Sequence, residues 1–182
     1  MMHSIGLIET SSIAKGIEVG DAMAKTANVT ILAAKTICPG KYIVMIGGEV
    51  AAVDAAVARG EAVGGATLVD KFVIANIHSS ILPAISGVTS VDHMSALGIL
   101  ETYSVAAMVD SADAAVKAAD VSCLRLHLAF GIGGKCYGLF TGDVAAVEAA
   151  VKVGAELAGS KGMLVQYVVI PRPHAEMVNH LL

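Results

Sequence analysis

Apolar and polar positions along the chain switch between two periods, and each switch marks an element. Ile5-Gly6-Leu7-Ile8-Glu9 is an apolar run of strand length, followed by Ser11 and Ser12, either of which can cap a helix. That helix is predicted through Ala27, with Ile13, Ile17 and Ala24 recurring at helical spacing as its buried face. Val29-Thr30-Ile31-Leu32 and Tyr42-Ile43-Val44-Met45-Ile46 then predict two β-strands paired as a hairpin, separated by a Cys38-Pro39-Gly40 reversal. Glu49 to Ala58 predicts a second helix with Asp54 on its wet side and Gly60 as its stop, and Leu68 to Ile74 predicts a closing strand. The order is β-α-β-β-α-β.

The same order then occurs again. Residues 5–29 realign with 97–121 at an offset of 92, with ten of 25 positions identical, and 47–60 realign with 141–154 at an offset of 94, with nine of 14 identical. Leu68-Val69 realigns with Leu164-Val165 at an offset of 96, which carries His78 onto His174. Strands are therefore expected near 96–101, 121–129, 136–141 and 163–170, and helices near 104–119 and 143–158. A period near ninety residues is too long for a solenoid and suits a small domain copied in tandem. The expected domains are residues 1–90 and 91–182, joined through Gly87-Val88-Thr89-Ser90-Val91-Asp92. Each copy is an α+β unit of the ferredoxin-like kind, an antiparallel sheet with helices on one face. The first offset change falls where Ile37-Cys38-Pro39-Gly40-Lys41 faces Ala129-Phe130-Gly131-Ile132-Gly133-Gly134-Lys135, so that loop is not shared.

Composition narrows the classes. The 182 residues are 55% apolar and 15% charged, against roughly 25% charged in an average domain, which suggests that apolar surface faces other subunits. No stretch of about 20 predominantly apolar residues is free of charges, prolines or polar clusters. With no basic region leading into an apolar core at the N-terminus, a cytoplasmic location is expected. A net charge of −4 with 4% aromatic residues argues against a nucleic-acid groove. Cys38, Cys123 and Cys136 form no CxxC pair and no complete disulfide set, in keeping with a reduced compartment.

Four stretches carry a family resemblance: Ile5-Gly6-Leu7-Ile8-Glu9, Ala24-Lys25-Thr26-Ala27-Asn28-Val29, Gly48-Glu49-Val50-Ala51-Ala52-Val53 and Pro171-Arg172-Pro173-His174. Together they resemble the bacterial microcompartment shell domain, across essentially the whole chain. Two such domains in unpermuted strand order look like the tandem-domain shell proteins, whose trimers take the pseudohexameric shape of single-domain hexamers. Thr36-Ile37-Cys38-Pro39-Gly40-Lys41, Ala129 to Tyr137 and Val169 to His174 are similar, within that family, to the T-type shell proteins of propanediol-utilisation compartments. The resemblance implies a homotrimeric tile in a compartment shell within the cytoplasm, with a 4Fe-4S cluster at its central pore. It also implies other shell proteins at the tile edges and an encapsulated redox enzyme or reductase as a possible electron partner.

The residues bear on that implication unequally. Cys38 lies at a reversal beside Pro39, which fixes φ, and Gly40, which permits close approach. One thiolate cannot hold a cluster, but three copies about a threefold axis supply three, leaving one iron of a cube for another ligand. Phe130 stands where Cys38 would recur, so a trimer offers three such cysteines and not six. The expected pore lining is Ile37, Cys38, Pro39 and Gly40 with Phe130, Gly131, Ile132, Gly133 and Gly134, and Lys41 is placed to offset cluster charge. Gly131 to Gly134 lacks a full phosphate-binding fingerprint and precedes a strand, so it reads as a turn. Cys123 and Cys136 read as structural, and His78 and His174 as fold or edge residues. Lys25, Asn28, Asn76, Lys117 and Arg172 are the expected tile-edge contacts, with Arg172 donating its planar set of N–H groups to neighbouring carbonyls.

The functional expectation is a structural tile that passes electrons through a pore cluster, with no catalytic residues. The alternatives are a tile whose pore conducts small metabolites without a cluster and, more remotely, an enzyme with Cys38 as nucleophile and His78 or His174 as base.

Overall fold

A computed structural model describes residues 4–87 and 94–181. The predicted 90/91 boundary and the linker from Val88 to Asp92 lie outside the described residues. The chain forms two compact units. The first is built on residues up to Ile77, with Ser104–Ala106 and Ala129–Gly134; the second takes His78–Tyr103, Ala107–Leu128 and the chain from Lys135 onward.

In the first unit the elements are β1 (Ser4–Thr10), α1 (Ile13–Thr26), β2 (Thr30–Ile37), β3 (Lys41–Gly48), α2 (Val50–Gly64) and β4 (Leu68–Ala75), with a 3-10 turn at Gly65–Thr67. The strands form one antiparallel sheet in the order β2-β3-β1-β4. Ser12 caps α1 by accepting from the Lys15 amide at 3.3 Å. Ile8, Val44 and Ile46 of the sheet, Val19 and Met23 of α1 and Val53, Ala56 and Val57 of α2 form the core.

Two sequence expectations for these helices are corrected. The buried face of α1 is Gly16, Val19, Gly20 and Met23, whereas Ile13, Ile17 and Ala24 are exposed. The reason is close packing: a Cβ on Gly16 would lie 2.5 Å from Tyr42 Cβ, and one on Gly20 would lie 3.2 Å from Val44 Cγ2. Gly60 does not stop α2 but sits buried within it, where a Cβ would meet Met23 Sδ at 2.8 Å. The helix ends instead at Gly65, whose φ of 48° is left-handed and whose amide donates to Glu61 O.

In the second unit β5 (Ala96–Thr102), β6 (Val121–Leu128), β7 (Cys136–Gly142) and β8 (Leu164–Pro171) pair antiparallel in the order β6-β7-β5-β8. Its long helices are α4 (Val105–Ala118), whose first two residues fall in the first unit, and α5 (Val144–Ser160), which packs on β5 and β8. Two short helices, α3 (Ile81–Ser86) and α6 (Ala175–Leu181), were not expected. They also modify the one-faced expectation for this sheet: α3 packs on β6, and Leu181 joins Leu97, Leu124 and Leu139.

Candidate metal centre

Cys38 begins the turn between β2 and β3. The Gly40 amide closes it by donating to Ile37 O at 3.1 Å, with Gly40 at φ 87°, and the Cys38–Pro39 peptide is cis. The Cys38 side chain is half-buried, and its amide donates to Ala129 O at 3.1 Å. The Ala129–Gly134 loop is thus seated on the cysteine turn within the first unit. Gly134, at φ 86°, approaches so closely that a Cβ would lie 2.5 Å from Pro39 Cδ and 2.6 Å from Cys38 O. Only glycine fits there without shifting backbone. Gly131 and Gly133 also have positive φ, as does Ala129 at 58°. Phe130 projects from this loop with 75% of its surface exposed. Ile37 is buried, so of the predicted pore lining it faces protein.

The other cysteines differ in kind. Cys123 and Cys136 are fully buried. Burial pushes the Cys123 thiol up to about 12, against a usual 9.0, so it stays protonated where a metal ligand needs a thiolate. Among the described residues, no group of three or more His, Cys, Asp or Glu side chains within the chain is arranged to hold a metal ion. The chain thus offers one accessible thiol, Cys38, and a thiolate-bound cluster on it would draw its other ligands from further copies.

Lys41 is committed elsewhere. Its Nζ pairs with Glu9, whose carboxylate is wholly buried and also accepts from the Val105 amide at 2.8 Å and the Ala106 amide at 3.3 Å. Ser104 Oγ donates to Asp70 Oδ2 at 2.6 Å beside it. The Glu9 contact holds Lys41 in place at the start of β3. The spacing of the residues gave no sign of the bonds from the Val105 and Ala106 amides to Glu9, which join positions 96 and 97 apart.

The predicted edge residues are dispersed over both units. Lys25 lies in the last turn of α1, paired with Asp21 at 2.6 Å, and Asn28 follows it, exposed. Lys117 occupies the matching place in α4, paired with Asp113, which is nearly buried and also accepts from the His78 amide at 2.7 Å. Asn76 and Arg172, the matched residues after β4 and β8, share an unforeseen feature: both are left-handed, at φ 58° and 51°. The Arg172 amide donates to Ser95 O at 3.0 Å and its side chain is exposed. His78 and His174 act locally, His78 Nδ1 with Ser80 Oγ at 2.9 Å and His174 Nδ1 with the Glu176 amide at 3.3 Å.

A duplicated unit with this strand order is the arrangement expected of a tandem-domain shell protein. Residues 4–77 and 96–173 each match the BMC domain, and the chain belongs to that family, the shell proteins of bacterial microcompartments. It is 57% identical over 182 residues to the bacterial microcompartment shell protein PduT of Citrobacter freundii, covering 100% of this chain and 99% of that protein. The shell protein EutM of Salmonella typhimurium is 43% identical over 84 residues, covering 46% of this chain and 85% of that protein. A crystal structure of a microcompartment protein from Desulfitobacterium hafniense DCB superposes with a TM-score of 0.85 at 47% identity, over 98% of this chain and 99% of that one. The expected fold is borne out by these matches. No helix among the described residues is long and apolar enough to cross a membrane.

Proposed function

We propose that the chain is a homotrimeric, pseudohexameric shell tile in which Cys38 from each protomer meets on the threefold axis and holds one 4Fe-4S cluster. The observation that carries this reading is the contrast among the cysteines. Cys38 alone is accessible, on a tight turn clamped from behind by the Ala129–Gly134 loop, while Cys123 and Cys136 are sealed in the core. A cluster bound there supplies one-electron redox chemistry, which suits electron transfer across the shell. The chain's own part is positional. The Ala129 carbonyl and the Gly134 backbone restrain the Cys38–Pro39 segment, and Phe130 alternates with Cys38 as an apolar group in the pore lining.

The tile has no catalytic role in this reading. Its partners are other shell proteins, met through Lys25, Asn28, Asn76, Lys117 and Arg172, and an encapsulated redox enzyme or reductase. Its compartment is of the propanediol-utilisation kind, a shell within the cytoplasm.

The test is iron and sulfide content of anaerobically purified protein, with visible absorption and paramagnetic resonance before and after dithionite. About four irons per three chains are expected, lost in Cys38→Ser while the trimer survives. Absence of iron from both proteins, even after reconstitution, overturns electron transfer and leaves a tile whose pore passes small metabolites.

A further inference from the structure

The Ala129–Gly134 loop is tied to the cysteine turn at both of its ends. The Cys38 amide donates to Ala129 O at 3.1 Å, and Gly134 lies so close that a Cβ there would stand 2.5 Å from Pro39 Cδ and 2.6 Å from Cys38 O. Phe130 follows the first tie directly, so its backbone is anchored to that of the cysteine. Of the large apolar side chains in residues 36–41 and 129–134, Ile37 is buried, Ile132 is half-buried and Phe130 stands 75% exposed. A lone exposed apolar residue is ordinary on a protein surface. This one is distinguished by its tie to the accessible thiol and by the charge around it. Besides Cys38, the two stretches contain one ionisable side chain, Lys41, which is paired with the buried Glu9. Lys135, next along the chain, is paired with Glu101 at 2.6 Å. A metal-bound thiolate on Cys38 therefore has apolar groups, backbone and water for its near surroundings.

We propose that Phe130 is the shield of the cluster held by Cys38: its ring keeps water away and thereby holds the reduction potential down. This rests on the cluster reading above. Reduction adds one negative charge, and water stabilises the more highly charged state, so an apolar neighbour that displaces water makes the reduced state harder to reach. Position 130 is position 38 of the second copy, at the offset of 92, so in the trimer the rings recur between the thiols. Gly131 and Gly133, which face open space, have no side chain that could exclude water in its place. The phenyl ring has neither a hydrogen-bond donor nor an ionisable group, so it acts on the potential through solvent exclusion alone. Leucine at 130 should therefore serve nearly as well, and a small side chain should not.

The test compares the full-length parent, Phe130→Leu and Phe130→Ala, all purified without oxygen, by iron content and by redox titration followed with paramagnetic resonance. Equal iron is expected in the three proteins. At the ambient potential that half-reduces the parent, Phe130→Ala should raise the reduced-to-oxidised ratio about tenfold, which is 59 mV for one electron, while Phe130→Leu stays with the parent. In D2O the deuteron couplings to the reduced cluster should grow in Phe130→Ala alone. An unchanged potential in Phe130→Ala overturns the proposal, as does a shift without growth of the deuteron couplings. A Phe130→Leu protein that shifts as far as Phe130→Ala overturns it too, since leucine also excludes water. So does loss of iron from Phe130→Ala under anaerobic conditions, which would make Phe130 a holding residue and not a shield. Should circular dichroism show Phe130→Ala misfolded, Phe130→Ser takes its place with the same expectations. A parent that holds no iron, even after reconstitution, removes the cluster reading itself, and iron content alone tells that failure from the others.

Discussion

The first helices of the two copies reach their sheets by opposite means. In the first copy Gly16 and Gly20 give up their side chains, and the sheet fills the space with Tyr42 and Val44. In the second copy the matching helix positions are Met108 and Ala112, and the sheet positions shrink to Cys136 and Gly138, with Met108 Sδ 3.2 Å from where a Gly138 Cβ would stand. Volume has moved from sheet to helix, a large side chain on one side meeting a small one on the other in each copy, as dense interiors require. Under the second helices nothing has moved. Gly6 and Gly98 would each place a Cβ 2.5 Å from a valine methyl, of Val57 and Val151 respectively. Duplication thus lets one packing solution be rewritten where a matching change across the interface compensates it, and holds fixed a glycine that two valines both contact.

The largest expected break in that comparison comes from the two glutamates. Glu9→Ala should cost about 3 to 5 kcal/mol, because it leaves Lys41 and two helix amides without their shared buried carboxylate. The matching Glu101→Ala should cost under about 1 kcal/mol in the separated chain, as for other partly exposed pairs; urea unfolding of both variants checks this. Next, Gly16→Met should cost about 3 kcal/mol by overpacking against Tyr42. Adding Tyr42→Cys, which copies the second unit's solution, should recover more than half, a coupling read from the double-mutant cycle. If the double variant is no better than the single, the volume exchange is not the compensation described.

A smaller effect separates the cysteines. Because the folded Cys123 thiol is pushed up to about 12 from 9.0, the unfolded chain ionises first as pH rises. The folded state then binds more protons, and stability falls between those values by up to about 1.4 kcal/mol per pH unit, with no effect below 9. Cys123→Ala should flatten that slope in denaturation curves at pH 8 to 11. The smallest effect is kinetic labelling at neutral pH: a thiol reagent should modify Cys38 in the cluster-free native protein and leave Cys123 and Cys136 until it unfolds.

The element order and both sheets were legible, because the repeat confirmed each strand and helix twice. The Cys38 turn was legible from Pro39 and Gly40, whose backbone constraints are local. What escaped was whatever one letter encodes in two ways. Gly60 has the composition of a helix stop, yet it is a contact point for Met23 and Ile8. Glycines count as neither apolar nor polar, so the Gly16 and Gly20 face of α1 was passed over for the more hydrophobic Ile13 and Ile17. The seat of Gly134 on Cys38 and the Glu9 clasp on Val105 and Ala106 join residues some 96 positions apart. No local periodicity reports such contacts. The short helices α3 and α6 are too brief for a period to register, and Pro83 lies within α3.

The left-handed corners after β4 and β8 decide which substitutions can be interpreted. A residue with a Cβ held at positive φ costs roughly 1 to 2 kcal/mol of backbone energy, least for asparagine. Exchanging Arg172 for alanine would therefore change the guanidinium and the tolerance for that backbone together, and a lost edge contact could not be credited to either. The chain carries its own control, since Asn76 occupies the same corner at φ 58°. Arg172→Asn borrows a residue already vetted for that shape, and isolates the charge.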